Sequence, residues 1–249
     1  MNERRAASES RAASLDREQL TAYDVGDHYD AAYYADLAAR YRARNRFARR
    51  RIGNVLSLLP PLDGARVLDL GCGMGTFAIE CARLGAHALG IDPAPHALDA
   101  AQRVAAEERT RDVRFIRGDA AALPVSSESV DVVVGADLTE HLDDGTLAAV
   151  LREASRVLRR GGTLVLYTPD RRHIFEQLRE RRGMLAPDPS HIGLRSAAEL
   201  EAAVDAADFY VERVVPLPSH LPVWNLFERG FQRWVPWLRR RVGLRARRP

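Results

Sequence analysis

Three aspartates stand where apolar runs end: Asp69 after Arg66-Val67-Leu68, Asp92 after Ala88-Leu89-Gly90-Ile91, and Asp119 after Phe115-Ile116-Arg117-Gly118. Between the first two lies a glycine cluster, Gly71-Cys72-Gly73-Met74-Gly75, followed by a helical pattern from Thr76. A strand that ends in glycines and runs into a helix is the opening turn of a nucleotide-binding α/β unit. Glycine tolerates positive φ and lets a ligand approach the backbone. On that reading a side chain at 71, 73 or 75 would fill the ligand's space.

The acids decide which nucleotide. A pyrophosphate needs helix N-terminal amides, and a carboxylate at Asp69 would repel it. The spacing agrees, since Gly71-x-Gly73-x-x leads to Thr76 rather than to the third glycine or alanine of a dinucleotide loop. A cationic nucleoside without phosphate fits better, and S-adenosyl-L-methionine is one. Asp92 lies roughly 20 residues past the glycines, the distance that puts an acid on ribose hydroxyls. Asp119 is placed to accept from an adenine amino group.

The same stretches resemble the class I S-adenosylmethionine-dependent methyltransferases, and within them the small-molecule enzymes of ubiquinone and menaquinone biosynthesis. The resemblance covers about Arg66 to Val215. Val67–Gly75 matches the family's glycine motif, Gly90–Pro95 its ribose motif and Gly118–Ala120 its adenine motif. Ser129–Leu142, ending Glu140-His141-Leu142, and Ala154–Thr168, containing Leu158-Arg159-Arg160-Gly161-Gly162-Thr163, match further. This implies cofactor contacts at Asp69, Gly71, Cys72, Gly73, Asp92, Pro93, Asp119 and Ala120, with Asp137 orienting the methionine portion. The implied reaction moves a methyl group to a small molecule, most simply to an oxygen of a phenolic, quinone-like, sugar or lipid acceptor.

A hydroxyl acceptor benefits from a base. His141 is the first candidate, because it follows the fourth strand beside Glu140 and imidazole titrates near neutral pH. His191 is the second and His173 the third. Glu140, Asp143 and Asp144 show no distinctive ligand spacing, so no metal is expected. The competing reading is a cofactor-bound scaffold or membrane-associated partner protein that works through the segment 217–240. No base-flipping motif stands at Asp137-Leu138-Thr139-Glu140, so DNA is not an expected partner.

These groups need a scaffold. Short apolar runs at 66–70, 87–91, 113–117, 130–135 and 163–168 alternate with helical patterns at 76–84, 96–109 and 145–158, which argues parallel strands covered on both faces. A strand at Tyr210–Val215, and a tail Val242–Arg247 that resembles the family's last, antiparallel strand, complete the expectation: a doubly wound, Rossmann-like, mostly parallel seven-stranded α/β sheet with an antiparallel last strand. Ser196 and Glu199 have the spacing of a capping box opening a helix through Ala207.

The expected organisation is a flexible arm at 1–20, a helical cap at 21–60 and a binding domain at 61–249. Segments 169–195 and 217–240 are expected to be lids over the site. The cap includes a long arginine-laced helix from Ala38 to Leu59, and a tyrosine from the 29–34 cluster is expected at cofactor or acceptor. Arg49-Arg50-Arg51 reads as a solvated face. Trp224, Trp234 and Trp237 all lie in 217–240, interleaved with arginines and broken by prolines, which suits a lid or a lipid contact.

Composition narrows the class. With 249 residues, 46% of them hydrophobic, the chain can bury a sizeable core. All 37 basic residues are arginine, and the formal net charge is +3. Two cysteines without metal-ligand spacing suit a reducing compartment. With no apolar run of membrane length and no apolar secretory stretch near Met1, a cytoplasmic monomer or homodimer is expected.

Overall fold

The computed structural model describes residues 30–173, 190–217 and 241–249. Seven strands among these residues form one sheet in the order β3-β2-β1-β4-β5-β7-β6. They are β1 Arg66–Leu70, β2 His87–Asp92, β3 Val113–Arg117, β4 Val130–Ala136, β5 Leu158–Pro169, β6 Tyr210–Leu217 and β7 Arg241–Arg247. Strands β1 to β5 pair in parallel, and β7 runs antiparallel to both β5 and β6. The chain order reverses between β1 and β4, so a crevice opens outside the carboxyl ends of these two strands.

The helices are α1 Ala31–Arg42, α2 Arg46–Leu56, α3 Thr76–Arg83, α4 Pro95–Glu107, α5 Asp144–Val157 and α6 Ala197–Asp205. Alternation along the strands sorts the core into two layers. Val67, Val132, Val134, Val165 and Tyr167 pack against Val55 and Leu58 at α2 and Phe77, Ala78 and Cys81 of α3. Leu68, Leu70, Val133, Leu164 and Leu166 face the other way, onto Leu147, Val150, Leu151 and Ala154 of α5 and Leu200 and Val204 of α6. Asp69 therefore lies on the α3 side, with Val67.

Two expectations change. The segment from Ala38 to Leu59 is two helices, because Arg44 takes φ +45° and Asn45 caps α2 by accepting from the Ala48 amide at 2.8 Å. Strand β5 begins at Leu158 rather than at 163, directly after α5. Leu158 pairs with Val130, and the register shifts before Thr163 pairs with Val132, with Gly161 at φ +72° in between. The capping box forms as its spacing implies: Glu199 N donates to Ser196 Oγ at 3.3 Å and Ser196 N to Glu199 Oε2 at 2.7 Å. The arm 1–20, Tyr23, Tyr29 and the tryptophan segment 218–240 lie outside the described residues, as do 174–189 of the first lid.

Candidate active site

The glycine turn is stapled from below. Asp92, 7% exposed at the tip of β2, accepts from Gly73 N at 2.8 Å through one carboxylate oxygen and from Ala94 N at 2.9 Å through the other. Each oxygen keeps a second lone pair that a ribose hydroxyl could meet. Burial raises the Asp92 pKa against the pull of these two amides. Asp69 is deeper, 2% exposed, and accepts from Ala78 N of α3 at 3.0 Å. Desolvation lifts its pKa to about 7, while the Ala78 amide and Arg51 lower it and Asp92 raises it. Asp69 thus braces the helix that follows the turn and reaches the crevice mainly through its field.

The three glycines have different jobs. All take positive φ, at +61°, +52° and +80° for Gly71, Gly73 and Gly75. A Cβ on Gly75 would meet the Phe115 ring at 2.7 Å, and one on Gly71 would meet Leu138 Cδ1 at 2.9 Å. Only Gly73 has room, with the Tyr34 ring 3.8 Å away. Protein packing therefore excludes side chains at 71 and 75, whereas the ligand-facing argument suits Gly73. Tyr34 is the tyrosine that the structure brings from α1 onto this turn.

Cys72 faces protein: its Sγ would lie 2.8 Å from a Cβ on Gly90, and burial pushes the thiol pKa up. Its amide donates to Ile91 O at 3.0 Å, joining the turn to β2. Pro93 is exposed, and its carbonyl accepts from Arg117 Nε at 3.1 Å. Asp119 is exposed, accepting from Ala121 N at 2.8 Å, and Ala120 is half-buried against the α5 layer. The first two acids border the crevice floor, and Asp119 marks its rim.

Across the crevice, Asp137 follows β4 at φ +55°. Its Oδ2 accepts from Arg51 Nε at 2.6 Å, and its Oδ1 is paired with Arg241 Nη1. Arg51 also lies over the Phe77 ring at 4.6 Å. It is therefore a site residue rather than part of a solvated face, and its i+4 and i+7 partners Val55 and Leu58 are buried.

The next three residues, Thr139–His141, form a 3-10 turn. Glu140 is 1% exposed and accepts from Thr168 Oγ1 at 3.0 Å. Desolvation and the neighbouring Asp137 push its pKa up to about 8. His141 Nδ1 lies 3.0 Å from Ser190 O. A carbonyl only accepts, so Nδ1 carries the proton and Nε2 is the basic nitrogen. His191 packs edge-on, ring centres 5.1 Å apart.

Arg195 holds this corner together. Its Nη1 donates to Thr139 O at 2.8 Å and Gly193 O at 2.7 Å, and its Nη2 to Leu142 O at 2.9 Å. Gly193 N donates to Glu140 O at 2.8 Å, and a Cβ on Gly193 would collide with the Leu142 carbonyl. His173 is fully buried. Asp143 caps α5 by accepting from Thr146 N at 2.8 Å, and exposed Asp144 pairs with Arg195 at 2.6 Å. Glu140, His141 and His191 each present a ligand atom within 4.8 Å of the others. That set includes a residue about 50 positions downstream, which spacing near Glu140 could not reveal.

Known proteins share these features. Residues 67–162 match the family model of the methyltransferase domain. The ubiquinone biosynthesis O-methyltransferase of Azorhizobium caulinodans is 36% identical over 122 residues, 49% of this chain and 47% of that protein. The one from Albidiferax ferrireducens is 34% identical over 163 residues, 63% of this chain and 64% of that protein. The chain spans about half the length of the curated relatives it matches. Geranyl diphosphate C-methyltransferase of Streptomyces coelicolor A3(2), solved with Mg²⁺, geranyl diphosphate and S-adenosyl-L-homocysteine, superposes with a TM-score of 0.64 at 21% identity, covering 81% of this chain and 78% of that one. Sheet order, stapled glycine turn and sequence match converge on residues 67–162, which are similar to the methyltransferase domain in sequence and in fold.

Proposed function

We propose that this chain transfers the methyl group of S-adenosyl-L-methionine to an oxygen of a small-molecule acceptor of phenolic, quinone-like, sugar or lipid type. The cofactor, when bound, supplies an electrophilic methyl on a sulfonium. The observation that carries the reading is the Asp92 staple: a buried carboxylate holds the glycine turn and still has lone pairs for a ribose diol. Tyr34 lies over the same turn. The zwitterionic end of the cofactor finds complementary charge in Asp137 and Arg51.

Displacement at a methyl group requires in-line alignment, which restrains donor and acceptor. His141 contributes the proton step: with Nδ1 committed to Ser190 O, Nε2 accepts the hydroxyl proton. His191 shares that wall of the site and is the second candidate base. We assign no metal role, and Glu140 in its protonated form is a hydrogen-bonding wall rather than a ligand. Among the described residues no helix is long and apolar enough to cross a membrane, and we infer a cytoplasmic monomer or homodimer. The lid and lipid-contact roles of 217–240 remain part of this proposal.

The test is incubation of the full chain with methyl-labelled S-adenosylmethionine and a fractionated small-molecule extract of its source. Label on an acid-stable methyl ether supports the reading. Cofactor binding with no labelled product would favour the scaffold alternative.

A further inference from the structure

Arg241 opens β7 opposite Pro169, which places it at the ligand edge of the sheet. Its guanidinium pairs with Asp137 and lies 5.2 Å from the centre of the Tyr167 ring. Arg51 takes the other oxygen of Asp137 at 2.6 Å. One carboxylate is thus shared by two guanidiniums, which leaves a positive charge uncompensated by it. Glu140 is held toward its neutral form by burial and Asp137, although Arg241 pulls its pKa down. Tyr167 is neutral as well, burial pushing its hydroxyl up to about 12. Arg241 Nε is buried and has no hydrogen-bond partner among the described residues. A buried N–H without an acceptor is a standing cost that a ligand oxygen would relieve.

We infer that Arg241 is a specificity-determining residue of the acceptor pocket, its Nε–H donating to the ionised hydroxyl of a phenol-type methyl acceptor. This rests on the methyltransferase reading above and narrows its acceptor to one that reacts as an oxyanion. The acceptor's O–H proton passes to His141 Nε2, and the oxygen keeps the bonding pair. Arg241 holds that negative charge until the oxygen bonds the methyl carbon and the carbon–sulfur bond breaks, its electrons going to sulfur. His141 then releases its proton to water. Neutral alcohols lack the charge that this donor selects.

The test uses 4-nitrocatechol, whose ionised hydroxyl absorbs at longer wavelength than its neutral form, with the full chain loaded with S-adenosylhomocysteine. Calorimetry first establishes the loading in wild type, Arg241→Met and Arg241→Lys. The expected result is a bound-probe pKa lowered by about 1 unit or more in the wild type, as an adjacent cation requires. The shift should persist in Arg241→Lys and be mostly lost in Arg241→Met, each measured at saturating S-adenosylhomocysteine. A probe that binds the wild type at its free-solution pKa, or does not bind at millimolar concentration, overturns the inference. So does a shift that survives Arg241→Met. Should Arg241→Met not fold, the wild-type shift and its retention in Arg241→Lys decide. Failure of the wild type to take up S-adenosylhomocysteine would instead overturn the reading beneath it.

Discussion

The two banks of the crevice are built by different means. On the cofactor bank, at the tips of β1, β2 and β3, contacts are local and made largely by backbone: Asp92 to Gly73 across 19 positions, Asp69 to Ala78 across 9, Asp119 to Ala121 across 2. On the opposite bank, at the tips of β4, β5 and β7, they are side-chain contacts between distant parts of the chain. Arg51 meets Asp137 across 86 positions, Arg241 meets it across 104, Arg195 meets Thr139 across 56, and His141 meets Ser190 across 49. A turn that must recognise one fixed ligand can be encoded in a short motif. A wall built from contacts between distant parts of the chain is assembled from whatever the fold brings near.

If the banks are separable, variants on one should leave the other intact. The largest effect is expected for His141→Ala, which should lower turnover about 10²–10⁴-fold and leave S-adenosylhomocysteine affinity unchanged by calorimetry. A matching fall in affinity would show the banks to be coupled. Next comes Arg195→Met, which strips donors from the carbonyls of Thr139, Leu142 and Gly193. It should cost about 2–3 kcal/mol in urea unfolding, and undiminished stability would remove Arg195 as the clamp of this corner.

Asp92→Asn preserves one acceptor for the backbone amides and removes the charge. It should weaken S-adenosylhomocysteine at least about tenfold, the loss of one charged hydrogen bond, with turnover at saturating donor largely retained. An unchanged affinity would remove the ribose assignment.

The pH dependence of cofactor binding sharpens the same comparison. With its folded pKa raised from 3.8 to about 7, Asp69 is protonated below neutrality in the empty protein. The field of its charged form favours a cation in the crevice, so affinity should rise with pH up to about 7 and then level. Below that it should fall by as much as about tenfold per pH unit. For folding the sign is opposite: a raised carboxyl favours the native state at low pH, and its contribution declines as pH climbs from 3.8 to about 7. Asp69→Asn should flatten the binding profile. The smallest effect expected is none: chelation by EDTA should leave turnover unaltered. A loss restored by a divalent ion would reassign Glu140, His141 and His191 as ligands.

The same contrast explains what could be read before any coordinates. The doubly wound, mostly parallel sheet, the positive-φ glycines and the Asp92 spacing were legible because periodicity and motif spacing act over a few residues to about 20. Arg51 was missed because Arg49 and Arg50 beside it suggested a solvated run, although its helical spacing to Val55 and Leu58 was a usable signal. The break before α2 had a signal too, in the cap Asn45. For Arg195 and Arg241 there was none: each is an arginine among many, and only the fold shows what it reaches. The packing of Leu138, Phe115 and Gly90 around Gly71, Gly75 and Cys72 had no local signal, because those neighbours come from other elements.

The most direct test is a crystal structure of the chain with S-adenosylhomocysteine. The ribose hydroxyls should lie within hydrogen-bonding distance of the Asp92 carboxylate, with Tyr34 over the glycine turn and the amino-acid end at Arg51 and Asp137. A crevice that stays empty at saturating ligand, or a ribose bound away from Asp92, would contradict the account.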